Sequence, residues 1–348
     1  SKYTSQFVRC PSASESPAAF VSFLLDRLAR DRHELVISDE QTLMLIAREK
    51  ERFSQYVHVP IPDYEIFRRA HSKLESTRLA QQLGIPCPIT HFISDLAQVD
   101  SLKDKIDYPL VIKPQDSYGS RGIVSVRSPQ ELMPKYRSVH NRYPFPLIQD
   151  RIPPGGRKFQ VCALFNRDSQ PRAAIVHQLY RDFPVDGGPG TLFESIHYPE
   201  LMEVGLRLLR ALGWYGVAAV EFLEDPRDGE IRLLEINPRF WGTLQVSISA
   251  GIDFPYLLYK MVTEGDVERC FEYEAGRRGR WLLPGDILHF IKNPNRFHLE
   301  PSFFDFFDRS TDYVVLSRDD PVPTLAFVLA SFRDLLDKDK RRQLAQRM

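Results

Sequence analysis

Leu234-Glu235-Ile236-Asn237-Pro238-Arg239-Phe240-Trp241-Gly242 is the stretch whose reading decides the fold. Ahead of it runs the apolar segment Val217–Glu224, and between the two lies the turn-rich Asp225-Pro226-Arg227-Asp228-Gly229. Two strand-like runs around such a loop predict a β-hairpin. Side chains alternate along a strand, so Glu235, Asn237 and Arg239 are expected on one face and Ile236 on the other. A hairpin centred near Asp228 puts Glu221 across the ladder from Glu235. Two carboxylates, an amide oxygen and a guanidinium then converge, an oxygen set suited to a hard divalent cation. A solvated, charged outer face explains the same residues, and from this stretch alone both readings stay open.

Working outward, the 348-residue chain is long for one core and suits two or three subdomains. Its 46 Lys and Arg balance 46 Asp and Glu, which gives no argument for nucleic acid or an anionic membrane as partner. No apolar run approaches the roughly 20 residues of a membrane helix, and no signal-peptide pattern opens the sequence. Cys10, Cys87, Cys162 and Cys270 are widely spaced and form no Cys-x-x-Cys pair, so they read as ordinary thiols. The expectation is a cytoplasmic protein.

Upstream, Pro17–Arg30 has apolar residues at helical spacing. Glu34–Ser38 reads as a buried strand, with Ser38-Asp39-Glu40 opening the next helix and Asp63 another. Lys73 leads into a helix over 74–83 that Gly84 closes. The first ~90 residues therefore read as an α/β unit with a helical exit.

Tyr108–Val126 reads strand, loop, strand. Lys113 ends the first strand, and the loop holds Ser117, Gly119, Ser120, Arg121 and Gly122. Small residues let successive backbone N–H groups face an anion, and the lysine adds a compact charge. A strand rather than a helix follows, so this is neither a P-loop nor a dinucleotide fingerprint. Residues 146–153 form another short strand, and 157–165 with 172–180 another hairpin. Asp182–Glu194 is glycine-rich and expected to be irregular. Tyr198–Leu212 is an amphipathic helix stopped by Gly213.

In that order and spacing, Lys113 with its Gly/Ser flap, the strand at Gln149, the Val-Glu-Phe strand and Glu-Ile-Asn-Pro-Arg resemble the ATP-grasp superfamily over roughly residues 30–265. The branch that the chain resembles is the carbamoyl-phosphate-synthase-like one, with its carboxylate–amine ligases. The resemblance implies two α+β subdomains that sandwich ATP, preceded by a truncated Rossmann-like α/β domain and followed by a helical extension. The boundaries expected are 1–88, 89–150, 151–270 and 271–348.

It also implies roles. Lys73 and Lys113 resemble the two phosphate-holding lysines, and Ser117, Gly119, Ser120 and Gly122 the flap over the phosphates. Gln149, Asp150, Arg151 and Ile152 match the hinge that reads adenine. Glu221, Glu235 and Asn237 match the site for Mg²⁺, with Mn²⁺ as an alternative ion. Arg239 matches the guanidinium beside the transferred phosphate, so Arg239, Lys113 and Glu235 are the expected catalytic groups. Gly187, Gly188, Gly190 and Glu194 match a substrate-side loop.

The implied activity is ADP-forming ligation of a small carboxylate to an amine through an acyl phosphate, and a homodimer is admitted. Two other readings stand beside it, phosphorylation of a carboxylate or carbonate in a carboxylase-like enzyme and a non-catalytic nucleotide-binding subunit. The sequence departs from the family pattern in three places. The family's opening strand–helix–strand is missing, and residues 155–158 supply no acid for the ribose. Residues 271–348, with helices expected over 281–290 and 322–336, lie outside the core fold.

Overall fold

The computed structural model describes residues 1–30, 39–116, 122–185, 187–317 and 319–336. The strand expected at Glu34–Ser38 and the flap residues Ser117, Gly119, Ser120 and Arg121 lie outside the described residues.

The chain opens with helices α1 (Pro17–Leu28), α2 (Glu40–Arg48), α3 (Lys50–Phe53), α4 (Tyr64–His71) and α5 (Lys73–Gln82). Asp39 caps α2 by accepting from the Thr42 N–H, and Ser72 caps α5 by accepting from the Glu75 N–H. Among the described residues, 1–88 contribute helices and no strand.

A small sheet follows, made from β1 (Thr90–His91), β2 (Leu110–Lys113), β3 (Val124–Val126) and β4 (Leu147–Asp150), with helices α6 (Leu96–Leu102) and α7 (Pro129–His140) on it. Its strand order is β1-β4-β2-β3, all antiparallel. Leu110, Ile112, Val126 and Ile148 bury against Leu132, Tyr136 and Val139, which gives this unit its own core.

The larger sheet is built from β5 (Lys158–Phe165), β6 (Pro171–Asp182), β7 (Gly190–Ile196), β8 (Gly216–Glu224) and β9 (Ile231–Asn237), with α8 (Pro199–Leu212) between β7 and β8. Beyond it come α9 (Leu244–Ser249), α10 (Phe254–Glu264), β10 (Arg278–Arg280), α11 (Ile287–Lys292), β11 (Thr311–Tyr313) and α12 (Pro321–Leu336). The order is β11-β10-β7-β6-β5-β8-β9.

Alternation splits the strand residues between two cores. Phe159, Val161, Ala174, Val176, Val220 and Phe222 pack with α8 and with Phe20, Ile46, Phe67 and Ala80 of the opening helices. Cys162, Leu164, Ile175 and Ala219 pack on the other face with Trp241, Phe254 and Leu258. The opening helices therefore share a core with the large sheet. Helix α8 lies so close that a Cβ at Gly205 would come within 2.8 Å of Val161 Cγ1. It ends at Gly213, whose φ of 75° no β-branched residue adopts cheaply.

Three expectations change. The strand β6 runs through Asp182 and β7 begins at Gly190, so only the connection between them is irregular. Thr191, Leu192 and Phe193 are buried, and that burial is what makes this glycine-flanked run a strand. Residues 271–348 are not simply a helical extension, because Arg278–Arg280 and Thr311–Tyr313 extend the large sheet. Nor is 281–290 one helix. Leu283, ahead of Pro284, is extended at φ −109° and ψ 128°, and a regular α-helix begins only at Ile287.

This C-terminal segment is fastened by a buried charge cluster. Asp286 accepts from Arg181 Nε at 2.6 Å and from Arg280 Nε at 2.6 Å, and all three residues are buried. The guanidiniums also donate to the carbonyls of Pro301 and Phe303. Asp286→Ala leaves two buried guanidiniums without their carboxylate. It should cost about 3–5 kcal/mol in urea unfolding, whereas a loss near zero would mean the cluster is dispensable.

Candidate active site

The β8–β9 hairpin forms with the register expected of it. Glu221 is directly opposite Glu235, and Ala219 is opposite Asn237, with a bulge after Glu221. The turn is closed by the Gly229 N–H on the Asp225 carbonyl at 2.7 Å. The buried Asp225 carboxylate is held by Arg227 and Arg232. Arg227 in particular holds its pKa down, at about 2. Arg227 also reaches Asp150 Oδ2 at 2.6 Å, which ties the hairpin loop to the end of β4.

Glu221 accepts from Asn237 Nδ2 at 2.8 Å and from Gln160 Nε2 at 3.1 Å, both on Oε1. Burial, and then the Glu235 charge, push Glu221 up to about 7. Burial acts on Glu235 in the same sense, but the ammoniums of Lys73 and Lys113 outweigh it and hold that carboxyl below its usual range. Lys73 Nζ sits 3.2 Å from Glu235 Oε2. Lys113 is pulled down to about 8, first by burial and further by Lys73, with Glu235 opposing. Its Nζ donates to Gln149 Oε1 at 2.6 Å, and Gln149 Nε2 donates to Thr90 Oγ1 at 2.8 Å.

Arg239 lies beside this group. It donates to Asn237 Oδ1 at 3.0 Å and to the Phe240 carbonyl at 2.8 Å, and stands 3.5 Å from Glu40 Oε2. Glu40 in turn contacts His71 Nδ1 at 2.5 Å. The backbone N–H of Lys73 donates to the Gln115 carbonyl at 2.9 Å, which joins the start of α5 to the end of the β2 region.

The structure thus brings Lys73, Lys113, Gln149, Glu221, Glu235, Asn237 and Arg239 together. Gly122, at φ 75°, is the described edge of the flap. Asp150 is turned to Arg227, Ile152 is buried, and the Arg151 N–H donates to the Pro109 carbonyl at 3.2 Å. Gly187 (φ 137°) and Gly188 make the tight β6–β7 connection, where a Cβ on Gly188 would meet the Phe183 carbonyl oxygen at 2.2 Å.

Glu194 is not part of the group. Ser195 pairs with His177 and so shares the face of Gln160 and Glu221; its neighbour Glu194 faces the other way and pairs with Arg278.

Sequence reading missed Glu40, whose approach to Arg239 leaves no local signal. It also missed Gln160, although polar Lys158 and Gln160 at period two in an apolar strand mark a face.

Two facing carboxylates, one of them pushed up by burial and then by the other, with an amide oxygen alongside, fit a hard divalent cation. Among the described residues no group of three or more His, Cys, Asp or Glu side chains is placed to hold a metal ion, the present pair of carboxylates with its amide included, and no helix is long and apolar enough to cross a membrane.

Residues 187–282 match a family described as ATP-grasp in the biosynthetic pathway with Ter operon. The biotin carboxylase domain of Hydrogenobacter thermophilus 2-oxoglutarate carboxylase, solved with MgADP, ADP and bicarbonate, superposes with TM-score 0.63 at 15% identity, over 74% of this chain and 60% of that one. Campylobacter jejuni biotin carboxylase gives 0.63 at 15%, over 77% and 63%. The L-amino acid ligase of Bacillus licheniformis gives 0.57 at 19%, over 75% and 63%. The chain spans roughly three-fifths of the length of these proteins.

His177, buried beneath α9, carries the pH consequence. Burial pushes its pKa down to about 3, below the ordinary value of 6.5 that it regains on unfolding. Above pH 6.5 it is neutral in both states and costs nothing. Below that, only the unfolded chain takes up the proton, so stability falls with falling pH, by about 1.4 kcal/mol per unit down to the folded pKa. Urea unfolding at pH 4, 5 and 6 should show a slope shallower by that amount in His177→Gln; equal slopes would contradict the buried neutral imidazole.

Proposed function

We propose that this protein, whose fold is that of the ATP-grasp ligases, couples ATP cleavage to ADP with the joining of a small carboxylate to an amine or similar nucleophile. The observation that carries the reading is the convergence of Glu221, Glu235 and Asn237 with Lys73, Lys113 and Arg239, contributed by separate parts of the chain.

A carboxylate is a poor acyl donor because its oxygen leaves badly. Moving the γ-phosphoryl of ATP onto it creates an acyl phosphate, which a nucleophile can open with release of phosphate. The barrier lies in negative charge gathering on the transferring oxygens, so the protein's task is to position and to neutralise. Lys73 and Lys113 supply compact charges toward the phosphates, and Lys113 stays largely protonated at neutral pH despite its burial.

Arg239 offers a planar fork suited to phosphate or carboxylate, and its bonds to Asn237 and Phe240 fix that fork in place. Mg²⁺ held by Glu221, Glu235 and Asn237 would supply further screening of the phosphate oxygens. Gln149–Ile152, which leads from the end of β4 toward the large sheet, is where the adenine edge would be read. The flap at 117–122 and the connection at 187–190 would keep water from the acyl phosphate.

The direct test is ADP release with a panel of acids and amines, bicarbonate included. Stimulation that needs both an acid and an amine is the expected result. Stimulation by bicarbonate alone would point to carboxylase-like phosphorylation, and tight ATP binding with no stimulation to a binding subunit. Glu235→Gln should abolish turnover with a modest loss of fold stability, because Lys73 loses a charged partner; unchanged turnover would remove Glu235 from the site. Lys113→Ala should weaken ATP at least tenfold in equilibrium binding, equivalent to about 1.4 kcal/mol, and an unaltered dissociation constant would remove its phosphate role.

A further inference from the structure

Behind Glu221 runs a chain of buried hydrogen bonds that the reaction scheme does not use. Gln160 Nε2 reaches Glu221 Oε1 at 3.1 Å. Gln160 Oε1 is met by Thr243 Oγ1 at 2.9 Å, and Thr243 Oγ1 by His177 Nδ1 at 2.7 Å. His177 Nε2 is met by Ser247 Oγ at 3.2 Å, and Ser247 Oγ by the Trp241 indole nitrogen at 3.3 Å. Gln160, His177, Trp241, Thr243 and Ser247 are all buried.

Each link has a forced direction. With a cation on it Glu221 would be ionised and could only accept, so Gln160 presents its NH₂ to Glu221 and its oxygen to Thr243. That oxygen cannot donate, so the single hydroxyl proton of Thr243 is spent on it. Thr243 can then only accept from His177, which places a proton on Nδ1. Burial keeps the imidazole neutral, so Nε2 is bare and takes the proton of Ser247. Ser247 accepts from the Trp241 N–H, a group that only donates. The run is one unbroken series of donors from Trp241 to Glu221. The Cys162 thiol, 3.5 Å from Gln160 Oε1, adds a weaker donor to the same oxygen.

We infer that Ser247, His177, Thr243 and Gln160 form a positioning relay that fixes the Glu221 carboxylate for its cation and ties it to the segment 241–247. The inference rests on the metal assignment made under the proposed function. In that setting Gln160 orients Glu221 directly, and Thr243 and His177 act through Gln160. The segment carrying Trp241, Thr243 and Ser247 begins two residues after Arg239, so the group beside the transferred phosphate and the cation ligand share one support. With Gln160 replaced by an apolar residue the strand would still pack, but Glu221 would lose one of its two amide donors; with His177 replaced, Gln160 would lose the support behind it.

The tests use the full chain. Nitrogen-15 spectra of the wild-type imidazole at pH 7 should show His177 protonated on Nδ1 and bare on Nε2; the opposite tautomer would overturn the relay. Thr243→Val keeps shape and removes the hydroxyl, and Thr243→Ser restores it. With ADP present, the Mn²⁺ dissociation constant read by electron paramagnetic resonance should rise about 10- to 100-fold in Thr243→Val and return near wild type in Thr243→Ser. Glu221→Gln is measured alongside. If Glu221→Gln weakens Mn²⁺ and Thr243→Val does not, the relay is wrong and the metal site stands. If neither moves, the metal assignment itself falls and the relay with it.

Discussion

The repulsion between Glu221 and Glu235 is the constraint around which the rest of the site is arranged. The ladder sets the two carboxylates face to face in a partly desolvated cleft, where like charges interact strongly. Both could not stay ionised there without cations, and the fold supplies them from three places. Lys73 comes from the start of α5, Lys113 from the end of β2, and Arg239 from the segment after β9. The response of the pair is uneven: Glu235, nearest the lysines, is held acidic, and Glu221 is left to rise. An oxygen pair with charge only partly balanced is what a divalent cation binds.

That arrangement explains why the opening helices are part of the same body as the large sheet. Phe20, Ile46, Phe67 and Ala80 fill the core beneath Phe159, Val176 and Val220. The same helices bring Glu40 to Arg239 and Lys73 to Glu235. Removing the apolar contacts would remove two of the site's charged partners at the same time, so packing and chemistry are one requirement here.

Much of this was legible in the sequence because it is local. Period-two alternation puts Glu235 and Asn237 on one face, but the loop register, with Glu224 opposite Ile231, would by itself set Glu221 against Leu234; the bulge after Glu221 brings Glu235 opposite it. The helix over 199–212 followed from its apolar spacing and Gly213. What escaped has no local signature. Arg278–Arg280 and Thr311–Tyr313 are short runs whose strand character exists only because β7 offers an edge to the first and the first offers one to the second. Their arginines look like solvated surface in sequence, yet Arg280 is buried against Asp286, Phe303 and Phe306. Glu194 turns away from Glu221 for a related reason: motif resemblance gives neighbours in sequence, whereas alternation decides which neighbour shares a face with Glu221.

The Lys73–Glu235 pair also bears on the order of binding in the proposed reaction. Lys73 has an anion partner already, and Glu235 a cation partner. A polyphosphate arriving alone would draw Lys73 away and leave Glu235 facing Glu221 with less compensation. A cation arriving alone would compete with Lys73 for Glu235. Arriving together they replace both partners at once, anion for lysine and cation for carboxylate, and no buried charge is stranded. In the proposed reaction nucleotide and cation would each act on this 3.2 Å ion pair, which couples the two binding steps.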